Sequence, residues 1–215
     1  MKEYLSEKNL IELLNYLYPN STWINNQVIP KDITEERSKE NKLEHFQRRL
    51  FRPDYRNEES SIIVEFDGVE HYENNTTHWN DIERHIYYTE LGYKLIQIPY
   101  FVQPTKEIVK LYFGIDIDHD LTVKLNGFNI INNKPNKACP ATFSENGIRR
   151  FMTEFNSFDC SVQDEIMTTL YQNYNLEGIS LKVLPLSLIR FLDFEITDDD
   201  KENNKNLDLN NYYRI

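Results

Sequence analysis

The chain is poor in cysteine and in basic residues, and it has no long apolar run. Its two cysteines, Cys139 and Cys160, form neither a CxxC pair nor the framework of a disulfide-rich protein. No apolar stretch approaches the roughly 18 residues that a membrane-spanning helix needs. The first residues lack the basic-then-apolar layout of a signal peptide. We therefore expect a reduced, cytoplasmic protein with no membrane partner.

Basic residues number 24 against 35 acidic ones, so the formal net charge is −11. This balance is unusual for a protein that binds nucleic acid. The charges are unevenly distributed, however. Residues 193–208 contain seven acidic and two basic residues, whereas residues 42–56 contain five basic and two acidic ones. A basic face can therefore exist on this acidic chain, although tight non-specific DNA binding becomes less expected.

The chain does have enough apolar material for a core. Hydrophobic residues make up 40% of the chain and aromatic residues 13%, which is typical of folded globular proteins. A length of 215 residues suffices for one ordinary domain with extensions or for two small domains.

Periodicity and turn residues predict helices and strands in a regular order. A strand, a helix and a strand with short connections favour a βαβ unit, in which the two strands run parallel. The predicted elements are a helix capped by Ser6 and ending before Pro19, strands over 22–24 and 27–29, a helix over 34–50, a strand over 61–66, a helix over 79–91 and a strand over 93–98.

The C-terminal part is predicted to be mainly helical. One helix carries Ile148, Phe151, Met152 and Phe155 on one face, and a second is capped by Ser161. The chain is thus divided into an N-terminal helix with short strands (1–33), a core (34–120), a helical region (121–194) and an acidic tail (195–215) that is predicted to be disordered.

Acidic residues gather at one end of the predicted strand over 61–66. Strand side chains alternate, so Ile63, Glu65 and Asp67 share one face. Asp54 approaches from a neighbouring short strand or turn. Carboxylates on adjacent strands suit a hard cation such as Mg²⁺ or Mn²⁺. The alternative interpretation is a solvated strand end whose acidic residues are unrelated.

The order of the motifs resembles the PD-(D/E)XK, or restriction-endonuclease-like, nuclease superfamily. The branch it resembles is that of the very-short-patch-repair endonucleases. The resemblance covers about residues 35–105 and rests on Pro53-Asp54, on residues 64–71 (VEFDGVEH), on residues 81–84 (DIER) and on residues 92–99 (GYKLIQIP).

This resemblance implies an α/β fold, in which a small mixed β-sheet is flanked by helices and followed by the helical C-terminal region. It also implies that Asp54 and Glu65 are ligands of Mg²⁺, for which Mn²⁺ substitutes. The acidic residue that the family supplies from its first helix corresponds to Glu44, or alternatively to Glu40.

The chain departs from the family at position 67, where Asp67 stands in place of the family's lysine. Asp67 is then expected to bind a second metal ion or to orient water. Related branches of this form are implied to use a nearby histidine, and His71 is the candidate for proton transfer near neutral pH. His45, His78, His85 and His119 are interpreted as structural.

Basic residues near the carboxylates have two interpretations. Arg48, Arg49 and Arg52 are candidate phosphate contacts, or they form a solvated basic helix end that is favourable beside the helix dipole. Arg84 lies one helical turn from Asp81, which is the spacing of an ordinary surface ion pair. The resemblance implies instead that these two residues brace the site or contact a phosphate.

The sequence therefore predicts a magnesium-dependent endonuclease that hydrolyses phosphodiester bonds of DNA, in restriction, repair or a mobile element. Two alternatives remain. One is a catalytically silent nuclease-fold module that binds nucleic acid or protein, and the other is a nuclease that acts on RNA. The sequence indicates neither a recognition site nor an oligomeric state.

Overall fold

The computed structural model describes residues 5–121, 143–164 and 166. The chain divides into two compact units. The first comprises Met1–Asp67, Trp79–Tyr100 and Pro104–Val123, and the second comprises Gly68–His78, Phe101–Gln103 and Lys124–Ile215. None of the helices in the described ranges has the length and apolar character required to cross a membrane.

The first unit is built on a sheet of four short strands with helices before, between and after them. The elements in chain order are α1 (Leu10–Leu17), β1 (Ile24–Asn25), α2 (Lys31–Glu40), β2 (Tyr55–Asn57), β3 (Ile62–Asp67), α4 (Asn75–Glu90), which belongs to this unit from Trp79 onward, β4 (Lys94–Pro99) and α5 (Lys106–Phe113). The predicted mixed α/β class is confirmed for this unit.

The sheet is mixed, and its strand order follows the chain as β1-β2-β3-β4. The first two pairings are antiparallel, whereas β3 and β4 run parallel in a register that joins Ile62 to Lys94 and Glu65 to Gln97. Gly92 adopts a left-handed φ of 78° just after α4, a conformation that glycine reaches without the steric cost of a Cβ. The predicted βαβ unit is therefore confirmed.

A core cluster holds α4 to the sheet. Tyr88 and Leu91 come from the end of α4 and the turn after it, Ile63 comes from β3, and each of the three is fully buried. Burying a large apolar side chain stabilises a fold by roughly 1.5–3 kcal/mol. The complete cluster is Ile29, Ile63, Tyr87, Tyr88, Leu91 and Tyr93.

The predicted helix over 34–50 is wrong at both ends. Helix α2 begins at Lys31 after Pro30 and ends at Glu40, and Lys42 then takes a left-handed φ of 57°. The segment after this turn is irregular, and it packs Leu43 and Phe46 against the core cluster. The apolar spacing that predicted a helix therefore reflects the packing of an irregular segment.

The predicted strands over 22–24 and 27–29 are also corrected. Strand β1 contains Ile24 and Asn25, and it pairs with β2 instead of with residues 27–29. Asn26 then takes a left-handed φ of 46°, and its N–H donates to the carbonyl of Asp54 at 3.0 Å. Ile29 lies outside the sheet and is buried in the core cluster.

An ionic cluster closes the sheet at the end away from Asp67. Arg56 is 1% exposed, and its Nε lies 2.6 Å from Glu58 Oε1, at an angle that is not that of a hydrogen bond. Arg37 of α2 reaches Glu58 Oε2 at 3.2 Å and stacks 4.0 Å above the ring of Tyr93. Tyr93 donates its hydroxyl to Glu58 Oε2 at 2.7 Å. Glu58 therefore pairs with two guanidinium groups and accepts a hydrogen bond from a tyrosine.

The second unit contains α3 (Glu70–Glu73) and α6 (Glu145–Ser157). The predicted helix with Ile148, Phe151, Met152 and Phe155 on one face is confirmed as α6, and these four residues are buried. Tyr72 of α3 donates its hydroxyl to Glu154 Oε2 at 2.6 Å. Residues 160–164 are helical, so the predicted second helix is confirmed there, but Ser161 lies inside it and is not its N-cap. Residues 167–194 and the predicted acidic tail lie outside the described residues.

Gly147 lies where α6 crosses α3, and replacing it should disrupt this packing. A Cβ at Gly147 would overlap the carbonyl oxygen and backbone of Tyr72, so the two helices have to move apart. We expect Gly147→Ala to destabilise the protein by about 3 kcal/mol, at the upper end for overpacking. Chemical denaturation measures this. Gly68→Ala is the control, because a Cβ there meets no atom of the described residues within 4 Å. Equal stability of the two variants would contradict the prediction.

Candidate functional site

Asp54 precedes β2 and is fixed on both sides by neighbouring strands. Its Oδ2 accepts the backbone N–H of Phe66 at 2.8 Å, and its own N–H donates to Glu65 Oε2 at 3.4 Å. Its carbonyl accepts from the side-chain amide of Asn25 at 2.9 Å. The Asp54 carboxylate thus takes a hydrogen bond that a strand carbonyl would otherwise accept, and it stands beside Glu65.

Glu65 and Asp67 lie on the same face of β3, as predicted, and both are buried. Glu65 is 6% exposed and Asp67 2% exposed. Glu65 Oε1 is buried without a hydrogen-bond partner in the described structure. A buried oxygen without a partner loses its hydration and receives nothing in return. The structure therefore brings Asp54 and Glu65 together, with one Glu65 oxygen unsatisfied.

The electrostatics of this site are those of uncompensated carboxylates. Burial raises the pKa of Glu65 well above its ordinary value, and the charges of Asp54 and Asp67 raise it further. Burial also raises the pKa of Asp54, against the lowering effect of the Phe66 N–H, and the charges of Glu7 and Asp67 add to the rise. A divalent cation would remove this repulsion and supply the missing partner of Glu65.

Arg84 and Tyr88 present one face of α4 to these carboxylates. The charge of Arg84 lowers the pKa of both Asp54 and Glu65, which supports the predicted bracing role. Its guanidinium lies 5.9 Å from the ring centre of Phe51, and its Nε has no hydrogen-bond partner among the described residues. The hydroxyl of Tyr88 is buried, and burial and the charge of Glu65 raise its pKa, so it stays neutral.

Glu44 and its alternative Glu40 are both exposed, and the metal-ligand role that the resemblance implies for one of them stays a prediction. Glu44 lies after the end of α2, where it is exposed and lines a cleft of about 450 Å³ with Phe46, Arg49 and Tyr87. The charge of Glu7, just before α1, does raise the pKa of Asp54. No local pattern in the sequence marks Glu7, because its relation to Asp54 arises from the packing of the N-terminal segment.

A polar residue on β4 was also missed. Gln97 pairs with Glu65 in the β3–β4 register, and its Nε2 donates to Asp67 Oδ2 at 3.4 Å. Its Oε1 lies 3.4 Å from Nδ1 of His85. The predicted parallel pairing of β3 and β4 could have indicated Gln97, because this pairing places it opposite Glu65. Lys94 pairs with Ile62, three residues earlier along the strand.

The remaining predicted residues are not drawn together by the described contacts. Arg48, Arg49 and Arg52 are exposed, and Arg48 donates to the carbonyl of Ile29 at 3.1 Å. His71 belongs to the second unit, where its N–H donates to the carbonyl of Gly68 at 3.1 Å in the first turn of α3. The phosphate contacts and the proton transfer assigned to these residues stay predictions.

A complete metal site is not preformed in the described ranges. No group of three or more histidine, cysteine, aspartate or glutamate side chains there has the arrangement that surrounds an ion. Mg²⁺ does not require such a cage, because it commonly uses one or two carboxylates and takes its other ligands from water and substrate phosphates. Asp54 and Glu65 fit that ligand set, and the unsatisfied Glu65 oxygen favours it.

The raised pKa of Glu65 makes a prediction for the metal-free protein. The folded state keeps the proton of Glu65 at pH values where the unfolded chain has lost it, so its contribution to stability is full below the ordinary value of 4.5 and is lost as the pH rises towards the folded pKa. We expect Glu65→Gln to raise the melting temperature in EDTA at pH 7.5 by about 2–4 °C, or ~1 kcal/mol.

Melting curves between pH 4 and pH 8 test this expectation. The gain from Glu65→Gln should shrink towards pH 4, where both states of the wild type are protonated. Glu59→Gln is the matched control, because Glu59 is exposed in the turn between β2 and β3. A lower melting temperature for Glu65→Gln at pH 7.5 would show that the ionised Glu65 carboxylate does not destabilise the folded state.

Known proteins offer no independent assignment of this site. Comparison of the chain with protein-family models, with curated proteins and with solved structures gives no match.

Proposed function

We propose that the protein is a metal-dependent endonuclease that hydrolyses phosphodiester bonds of DNA. The observation that carries the proposal is the half-buried Asp54 beside the buried Glu65, which has one oxygen unsatisfied in the described structure. Paired carboxylates at the end of adjacent strands suit a hard cation that acts on phosphate. The resemblance of the surrounding motifs to PD-(D/E)XK nucleases supports the same assignment.

We assign a separate role in this reaction to each side chain of the site. Asp54 and Glu65 would hold a divalent cation, which would supply Lewis-acid polarisation of the scissile phosphate and a lower pKa for the attacking water. Glu7 adds negative charge that raises the pKa of Asp54, and the ligand role of Glu44 stays a prediction from the resemblance. Arg84 limits the repulsion between the carboxylates. Asp67 orients the attacking water in this proposal. Proton transfer by His71, which belongs to the second unit, stays a prediction from the sequence.

The basic run before Asp54 supports a polyanionic substrate. Arg48, Arg49 and Arg52 are exposed on the irregular segment that leads directly into Asp54. Exposed arginines of this kind bind phosphate oxygens and position a nucleic acid without reading its sequence. They also provide a local positive region on a chain of net charge −11.

A catalytically silent module is the second candidate. The observation that favours it is Asp67 in the place of the family's lysine, which removes the usual positive charge from β3. A silent module has no need of divalent affinity. Calorimetric titration with Mn²⁺ therefore separates the two candidates, since the nuclease requires binding that Glu65→Gln weakens.

Supercoiled plasmid tests the proposal directly. The protein is incubated with plasmid under Mg²⁺, Mn²⁺ or EDTA, and relaxed and linear products are followed on gels. We expect products with either metal and none in EDTA or with Glu65→Gln. Metal-independent cleavage, or equal cleavage by the variant, would reject the assignment. Competition with RNA of the same length tests whether the protein is instead an RNA nuclease. In that case the added RNA would suppress cleavage of the DNA.

A further inference from the structure

Gln97 is the centre of a polar chain that leads from a buried carboxylate to the surface. Asp67 is 2% exposed, Gln97 is half-buried on β4, and His85 is exposed on α4. The two hydrogen-bond distances, from Gln97 Nε2 to Asp67 Oδ2 and from Gln97 Oε1 to His85 Nδ1, are both 3.4 Å. Both contacts lie within the first unit.

The chemistry of the three groups fixes the direction of this chain. An ionised carboxylate only accepts hydrogen bonds, so Gln97 must present its NH₂ group to Asp67. The amide oxygen then points to His85, whose Nδ1 must carry a proton to donate to it. A reversed amide would place its oxygen against the carboxylate. His85 therefore selects the one amide orientation that binds Asp67.

We propose that Gln97 is a positioning residue that holds the Asp67 carboxylate towards the attacking water, and that His85 acts only through Gln97. This inference rests on the proposed nuclease function and assigns residues to its water-orienting group. The Asp67 oxygen that accepts the Gln97 amide N–H is oriented by this hydrogen bond. In this proposal the metal ligands are Asp54 and Glu65, and Asp67 contributes to turnover instead of metal binding.

A double-mutant cycle tests the proposal on the full chain. Gln97→Met keeps the length of the side chain and removes both hydrogen bonds. We expect it to lower kcat about tenfold, the rate equivalent of ~1.4 kcal/mol, with the Mn²⁺ concentration for half-maximal rate changed less than about twofold. His85→Ala should lower kcat in the wild type and change nothing further in Gln97→Met.

Lys94→Met is the matched control, because Lys94 is an exposed residue on the same strand opposite Ile62. Wild-type kcat in Gln97→Met, or a weakened Mn²⁺ response with kcat unchanged, overturns the positioning role. Additive effects of His85→Ala and Gln97→Met overturn the action of His85 through Gln97.

A spectroscopic readout keeps this inference separate from the nuclease activity. The side-chain amide of Gln97 is followed in ¹⁵N-labelled protein by NMR. We expect Asp67→Asn and His85→Ala each to shift its signals, and Lys94→Met to leave them in place. If the wild type cleaves no plasmid, the proposed function fails, and the amide signals still decide the contacts. Signals that move with neither Asp67→Asn nor His85→Ala overturn the inference.

Discussion

Asp54→Asn and Glu65→Gln should each lower the rate of metal-dependent plasmid cleavage by at least about 10³-fold, or ~4 kcal/mol of transition-state stabilisation. Both changes preserve the shape of the side chain and replace a charged oxygen ligand with a neutral amide. Asp54→Asn can also keep the hydrogen bond from the Phe66 N–H, which is 2.8 Å long in the wild type. The loss is measured from initial rates at saturating Mg²⁺.

Glu59→Gln is again the control for the loss of one negative charge near β2 and β3, because Glu59 is exposed. Its cleavage rate should stay within about twofold of the wild type, as surface substitutions have little effect on a distant site. Melting curves must show that Asp54→Asn and Glu65→Gln are folded. A folded variant of either kind that cleaves at the wild-type rate would remove that residue from the site.

The second large effect concerns stability and involves Glu58. Glu58→Gln should destabilise the fold by about 3 kcal/mol, the lower end of the cost of breaking a buried ion pair from one side. Arg56, 1% exposed, would be left with a buried charge, and Arg37 would lose its contact at 3.2 Å. Urea denaturation measures the change.

A compensating variant makes this prediction specific. Replacing both partners of a buried ion pair with groups that carry no charge is often nearly neutral, so Arg56→Met combined with Glu58→Gln should recover much of the stability lost in Glu58→Gln. If Glu58→Gln is as stable as Glu59→Gln, the ionic cluster does not stabilise the sheet.

Much of the first unit could be predicted because its patterns are local. The short β-rich run of β3 and Gly92 after α4 each have one interpretation, and the two strands then pair in parallel. The inward face of α4 was predicted only in part, because Tyr87 is buried whereas Ile86 is 45% exposed. The segment after α2 could not be predicted this way. Leu43, Phe46 and Leu50 repeat at helical intervals, yet Phe46 stacks on Tyr87 and Leu50 is 67% exposed, so tertiary contacts override the spacing.

The candidate site also contains residues that the sequence predicted and residues that it did not. Asp54 and Glu65 stand in motifs that are contiguous in the sequence, and the structure places them side by side. Glu7 lies about 50 residues before Asp54, and Gln97 lies on the strand next to β3. Nothing in the sequence around either residue distinguishes it. Glu44 was taken from the resemblance to the family's first helix, and the structure places it in the irregular segment after α2, so its ligand role stays a prediction.

The hydrogen bond from Phe66 to the Asp54 side chain has a consequence for how the site opens and closes. The amide proton of Phe66 exchanges with water only when that bond breaks, and the same event releases Asp54 from its position beside Glu65. The opening reaction at Phe66 therefore reports on the anchoring of the Asp54 side chain. Hydrogen exchange at Phe66 measures the free energy of that reaction, and a bound divalent cation should slow it.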